Sequence, residues 1–216
     1  MVTYQSDDEQ LEALQRWWRE NGRSVIAALI LAIAGAVGYQ QWQAYRKSQA
    51  EDASALYTKF SQAINDDGQD IQQAQEAGGE LKDDYGGTGY AVLAAMDLAQ
   101  HYAAGDSLDK AVEQLKWASD HADDDAMEEL VRLRLGRVYW AQGNYQQAVK
   151  AMGEPPEHGY VSEYYELRGD ILDAQGQAAD AADAYRKALQ AGSVGPQRRR
   201  LLQIKLDSVA GPESQS

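Results

Sequence analysis

Residues thirty-three apart repeat one another along the second half of the chain, and this periodicity constrains the fold more than any other feature of the sequence. Gly136 and Gly169, Tyr139 and Leu172, Gly143 and Gly176, Ala148 and Ala181, and Met152 and Tyr185 are all separated by that interval. An earlier stretch keeps the same order of small and large residues in Leu98-Ala99, Tyr102, Gly105, Ala111, Leu115 and Ala118. Such a period, without a strand-like alternation, points to stacked helix pairs. The first small residue lets the two helices of a unit approach, the glycine permits the turn, and the second alanine admits the next unit.

The spacing is that of the tetratricopeptide repeat, which these units resemble, although its tryptophan and closing proline signatures are missing or displaced. Repeats are expected at about Ala91 to Ala122, Met127 to Glu157 and Tyr160 to Gly192. A more degenerate pair is expected at Ala50 to Ala77. In its first helix Ala53, Leu56, Phe60 and Ala63 recur at three- or four-residue steps, and Asp66-Asp67-Gly68 closes it. Its second helix runs from Asp70 to Ala77, and Gly78-Gly79 and Tyr85-Gly86-Gly87 read as loops. Pro155-Pro156 cuts the middle repeat short, so its second helix is brief. Gly195-Pro196 breaks the chain before a capping helix at Gln197 to Val209, with Leu201, Leu202, Ile204 and Leu206 to bury.

Val25 to Tyr39 is an unbroken run of apolar or small residues. With Ser24 and the stretch to Trp42 it extends to roughly 28 Å as a helix, close to the thickness of a hydrocarbon core. Trp17 and Trp18 on one flank, and Tyr39, Trp42 and Tyr45 on the other, supply interfacial aromatic rings. A cleavable signal peptide is the competing reading, because Ala32-Ile33-Ala34 and Ala34-Gly35-Ala36 resemble cleavage sites. The acidic residues Asp7, Asp8, Glu9, Glu12 and Glu20 ahead of the run favour an uncleaved anchor instead. Arg16, Arg19 and Arg23 precede the span and Arg46 and Lys47 follow it, which favours a cytoplasmic N-terminus. Before the span, Ser6 and Glu9 read as a capping box, Leu11, Leu14 and Trp18 share one helix face, and Asn21-Gly22 ends or bends that helix.

The expected fold is therefore all-α: an N-terminal single transmembrane helix, then a tetratricopeptide-like α-solenoid of about three to four helix pairs, then a C-terminal capping helix. It divides into a cytoplasmic tail at 1–23, a transmembrane anchor at 24–42, a periplasmic domain at 43–209 and a disordered tail at 210–216.

Charge and motif content narrow the function by exclusion. The net charge is −14; five basic residues balance five acidic ones up to Gln49, and fifteen basic face twenty-nine acidic beyond it. An acidic surface repels phosphate backbones, so the domain is not expected to bind nucleic acid. No cysteine is present, which removes disulfides, cysteine-ligated metals and thiol nucleophiles. His101, His121 and His158 make no metal-binding pair, and Asp123-Asp124-Asp125 lacks the glycine and closing glutamate of a calcium loop. No phosphate-binding glycine loop or serine elbow occurs. The chain reads as a protein without enzymatic activity and without a cofactor.

What remains is a surface. The first helix of each pair usually lines the concave side of such a solenoid, which places Met96 and Gln100, then Leu133, Arg137 and Trp140, then Glu166, Asp170 and Asp173 along a candidate protein-binding groove. The groove lacks the lysine and asparagine positions of a terminal-carboxylate clamp, so an apolar or mixed peptide is the expected occupant. Arg198, Arg199 and Arg200 are expected to dock on the acidic repeats rather than on an acidic partner. Ala28, Ala32 and Ala36 form a small-residue strip suited to packing against a partner span.

From end to end the chain resembles the YfgM-type family, the ancillary subunit of the bacterial SecYEG translocon. The residues that carry the likeness are Tyr4 with Glu9-Gln10, Trp17-Trp18, Glu20-Asn21-Gly22, Gly38 and Trp42, and Ala53-Ser54 with Tyr57. Further along they are Tyr90-Ala91, Leu98-Ala99-Gln100, Leu133-Arg134-Leu135, Arg137-Val138, Leu167-Arg168-Gly169-Asp170 and Gln203-Ile204-Lys205. The resemblance implies an inner-membrane adaptor with a periplasmic repeat domain, associated with the SecYEG translocon and a PpiD-type periplasmic chaperone. It also implies secretory client polypeptides, and a cytoplasmic stress-response regulator as a partner of the tail. Two alternatives follow: an envelope-stress regulator acting through that tail, and a structural scaffold for an envelope complex.

Overall fold

The computed structural model describes residues 5–65, 71–192 and 194–210, and these are helices joined by short turns. The helices are α1 (Gln5–Asn65), α2 (Ile71–Asp84), α3 (Gly89–Ala104), α4 (Leu108–His121), α5 (Asp125–Ala141), α6 (Tyr145–Met152), α7 (Val161–Ala174), α8 (Ala178–Gln190) and α9 (Pro196–Ala210). They fall into two compact units, Met1–Glu51 and Asp52–Ser216, with α1 belonging to both.

In the first unit, α1 carries the apolar run. It is the one helix among the described residues long and apolar enough to cross a membrane. The side chains of Ser6 and Glu9, the expected capping box, lie outside the described residues. One expectation is corrected: α1 passes through Asn21-Gly22 without a break. The Asn21 amide donates to the Trp17 carbonyl at 3.1 Å, and the Trp18 ring lies over Gly22. An interior glycine costs only about 1 kcal/mol relative to alanine, too little to stop a long helix.

The second unit is the expected solenoid. Three helix pairs, α3–α4, α5–α6 and α7–α8, each turn through the same backbone device. The amide of Ser107 donates to the Tyr102 carbonyl at 2.8 Å and Asp106 to Ala103; Asn144 donates to Tyr139 and Gly143 to Trp140; Gln177 donates to Leu172 and Gly176 to Asp173. These are Schellman closures, which need one left-handed residue. Gly143 and Gly176 supply it at φ +74°, whereas in the first pair Asp106 does so at φ 58°, and Gly105 is an ordinary helix-terminal residue. The glycine expected to make that turn is thus one residue away from the strained position.

Size complementarity holds each pair together. Ala99 of α3 aligns with Gly136 of α5 and Gly169 of α7, and sixteen residues after each stands a large side chain, Leu115, Met152 or Tyr185, buried in the core. A methyl group at Gly136 would stand 2.7 Å from the Met152 Cγ, and one at Gly169 would stand 2.5 Å from the Tyr185 ring. Ala111, Ala148 and Ala181, the second alanine of each unit, are all fully buried.

Pro155 occupies the place that Ala118 and Ala188 hold in the other pairs, and α6 ends at Met152 as expected. The chain leaves the helix through Gly153 at φ +63°, where the Arg132 guanidinium packs against the glycine and donates to the Met152 carbonyl at 2.7 Å.

A fourth, degenerate pair is present, with different bounds. The last part of α1 and α2 pack on α3 through Phe60, Ala63, Leu81, Ala91 and Leu98. α2 runs to Asp84, so Gly78 and Gly79 lie inside a helix rather than in a loop. A methyl group at Gly78 would meet Leu98 at 2.8 Å and Phe60 at 3.3 Å. The glycine admits close packing there; it does not make a turn. Asp66-Asp67-Gly68 and the tail beyond Ala210 lie outside the described residues.

The capping helix starts with Pro196 at its first position, where a missing N–H is tolerated. It buries Leu202 completely and packs Leu206 and Val209 beside it. Leu201 and Ile204, expected in the core, are 47% and 59% exposed. The stripe from Leu202 through Lys205 and Leu206 to Val209 faces the repeats, and residues 201 and 204 fall on the other side.

Two phenols, the half-buried Tyr57 and the buried Tyr185, tie helices together. Tyr57 donates to Asp97 at 2.8 Å and Tyr185 to Asp170 at 2.8 Å. Burial and the carboxylate that each bonds hold the proton on both rings. Tyr57 is pushed up to about 12, Tyr185 is raised still more strongly, and Arg134 tempers the shift at Tyr57. The unfolded rings ionise near 10. Their stabilisation is therefore complete below about pH 10 and is lost as pH rises from there towards the folded values. Replacing Tyr57 and Tyr185 by phenylalanine should flatten the slope of stability against pH between about 10 and 12, read from urea midpoints at successive pH values. An unchanged slope would dismiss this account.

Candidate partner-binding surface

α5 commits Val131, Leu135, Val138 and Tyr139 to the core, which leaves Arg134 and Arg137, three residues apart, on another face. Across from them α3 presents Ala99 and Ala103, whose short side chains leave a cleft where larger ones would fill it. The cleft has a volume of about 330 Å³. Met96, Leu115 and Val138 make its apolar floor, and Gln100, Arg134 and Arg137 its polar rim. Met96 is buried, and Gln100 and Arg137 are exposed.

The rim is cationic. Among the described residues neither Arg134 nor Arg137 has a carboxylate within salt-bridge distance. Among the described residues the Arg134 Nη1 is buried without a hydrogen-bond acceptor. A buried donor left unpaired costs about 1–3 kcal/mol, which a shift of the Arg134 side chain towards an acceptor would recover.

The acidic residues further along are arranged differently. Glu166 accepts from Lys205 at 2.8 Å and from Arg198, and Asp170 accepts from Lys205 with both oxygens at 2.8 Å and from the Tyr185 hydroxyl. Arg198 also pairs with Glu163 at 2.7 Å. Burial disfavours the Lys205 cation, but its bonds to Asp170 and Glu166 outweigh that and raise its pKa. Glu166 and Asp170 therefore hold the capping helix in place. Arg198 docks on the repeats as expected, while Arg199 and Arg200 stay exposed.

The eight groove residues expected from helix spacing thus lie in different settings. Met96, Gln100 and Arg137 share the cleft between α3 and α5. Leu133 is buried and lines a separate cleft with Arg132, Met152 and Tyr164 beside Pro155. Trp140 is 38% exposed and its indole N–H donates to the Asp170 carbonyl at 3.3 Å. Asp173 is exposed near the end of α7. Ala28, Ala32 and Ala36 are exposed on one side of α1. Helix spacing alone missed Arg134. Its signal was present as a second arginine three residues before Arg137 in a strongly acidic domain.

The chain matches the family model of the tetratricopeptide repeat-like domain over residues 15–211. It is similar to curated proteins that each bear the name ancillary SecYEG translocon subunit. The relative from Escherichia coli strain K12 is 26% identical over 211 residues, which cover 97% of this chain and 100% of that one. The relative from Haemophilus influenzae is 28% identical, over 89% of this chain and 93% of its own length. The relative from Neisseria gonorrhoeae is 27% identical over 97% and 100% respectively. No solved structure gives a significant match.

Proposed function

The chain belongs to the tetratricopeptide repeat-like domain family, and from that premise we propose that it is a single-pass inner-membrane subunit that accompanies the Sec translocon. Residues 1–23 form the cytoplasmic tail, 24–42 the span, and 43–209 a periplasmic repeat domain that links emerging secretory proteins to a PpiD-type chaperone. The observation that carries this reading is the collinear likeness to the named translocon subunits, which takes in the apolar segment and the repeats together. Tethering gives this role its physical basis. A membrane anchor beside the exit of a channel converts a weak encounter with a polypeptide into a local one, so the groove needs little intrinsic affinity. Gln100 and Arg137 are the proposed contacts for that encounter, above a floor that includes the buried Met96, with Trp140 at its edge. Glu166 and Asp170 serve the fold.

The strip Ala28, Ala32 and Ala36 is the proposed contact with a neighbouring span, where small side chains allow close approach. Tagged protein purified from its own membranes in mild detergent should carry translocon subunits with it. Replacing the three alanines by leucine should reduce that recovery several-fold while the repeat domain stays folded. Absence of translocon subunits from the wild-type preparation would overturn the proposal, and added protease that fails to reach the repeat domain in spheroplasts would overturn its orientation.

A further inference from the structure

We infer that the cleft between α3 and α5 recognises an extended polypeptide segment in which one or two side-chain carboxylates stand beside an aliphatic residue. This rests on the reading of the repeat domain as a receiver of polypeptides, and it names the chemistry of what is received. Three features support it. The floor is apolar and large enough for one aliphatic side chain. The rim carries two guanidinium groups, one with a buried nitrogen that has no acceptor among the described residues. Guanidinium matches carboxylate in planar, two-point hydrogen bonds that an asparagine does not reproduce.

The rest of the domain limits the choice. Its surplus of acidic residues repels a polyanion, so the arginine pair favours a segment with a small number of carboxylates rather than an acidic run. A chain terminus fits less well than a side chain. Burying a terminus brings backbone amides and carbonyls into the cleft, where Gln100 is the only polar rim residue besides the arginines. A side-chain carboxylate reaches Arg134 and Arg137 while its backbone stays in water.

The test uses the full chain in detergent micelles and isothermal titration calorimetry. The probes are acetylated, amidated octapeptides that contain two leucines and either two aspartates or two asparagines. The aspartate peptide should bind at least tenfold more tightly. In the variant Arg134→Gln with Arg137→Gln that ratio should fall close to one. Should the double variant fold poorly, the exposed Arg137→Gln change alone must lower the ratio. Equal binding of the two peptides, a ratio that survives the arginine changes, or no binding of either peptide at millimolar concentration would overturn the inference. So would a tenfold gain on leaving the asparagine peptide with a free C-terminus, because the terminus would then be the recognised group. Translocon recovery, measured on the same proteins, separates the two proposals. Lost discrimination with translocon recovered counts against the cleft alone, and lost recovery from wild type counts against the tethering reading.

Discussion

Gly169→Ala lowers the stability of the repeat domain by about 2–3 kcal/mol, net of the roughly 1 kcal/mol that alanine gains over glycine in a helix. The new methyl group would lie 2.5–2.9 Å from three atoms of the Tyr185 ring. That ring is 2% exposed, packed with Ala181, Ala188 and Leu202, and its hydroxyl is fastened to Asp170. Moving the ring aside would give up that hydrogen bond. Gly136→Ala is the control. Its methyl group meets the flexible Met152 at 2.7 Å and Leu167 at 3.1 Å, both of which are able to shift, so the cost stays near or below about 1 kcal/mol. Urea midpoints of the two variants, followed by tryptophan fluorescence, should fall in that order. Tyr185→Leu should relieve the Gly169→Ala clash, leaving the double variant more stable than the sum of the singles implies. A Gly169→Ala midpoint no lower than that of Gly136→Ala would contradict the packing account.

Glu166→Ala should destabilise by about 2 kcal/mol and loosen the capping helix first. The Glu166 side chain is only 11% exposed and accepts from both Arg198 and Lys205. Removing one member of a buried ion pair costs about 3–5 kcal/mol when the survivor is stranded. Here each cation keeps a second carboxylate, Glu163 for Arg198 and Asp170 for Lys205, which brings the cost down. The sensitive readout is trypsin. Cleavage at the exposed Arg199 and Arg200 needs α9 to open, and the rate should rise severalfold in Glu166→Ala, with Glu166→Gln between it and wild type. Cleavage at the wild-type rate would mean that Leu202, Leu206 and Val209 hold the helix without help from the ion pairs.

The capping helix also marks where residue patterns stop being informative. That a helix would follow Pro196 was legible, because proline is favoured at a first helical position and the next thirteen residues avoid helix breakers. Which of its leucines would be buried was not. Leu201 and Leu202 are neighbours with the same hydrophobicity, and a rotation of about 100° decides which one meets α8. The acidic residues of α7 pose the same problem. Helix spacing puts Glu166 and Asp170 on the side of α7 expected to receive a partner, and their actual partners, Arg198 and Lys205, come from more than thirty residues further on. Helical period specifies the side on which a charge lies, and it carries no information about what arrives there.

Glycine shows the division most clearly. At Gly143 and Gly176 the residue does what its position in the repeat implies, because a left-handed turn is a local backbone requirement readable from spacing. At Gly78 the residue serves Leu98 and Phe60, which belong to other helices, and its doubled neighbour misleads by resembling a loop.

By itself the sequence determined the helical period, the number and order of the paired helices, the early end of α6 and the apolar segment of α1. All of these depend on backbone preferences and on which side of one helix is apolar. The tertiary structure alone decided that Glu166 and Asp170 are taken up by the cap, that Leu133 turns away from the α3–α5 cleft, and that Arg134 joins Arg137 at its rim. Those outcomes depend on distances of a few ångströms between side chains of separate helices, which are set only when the helices pack.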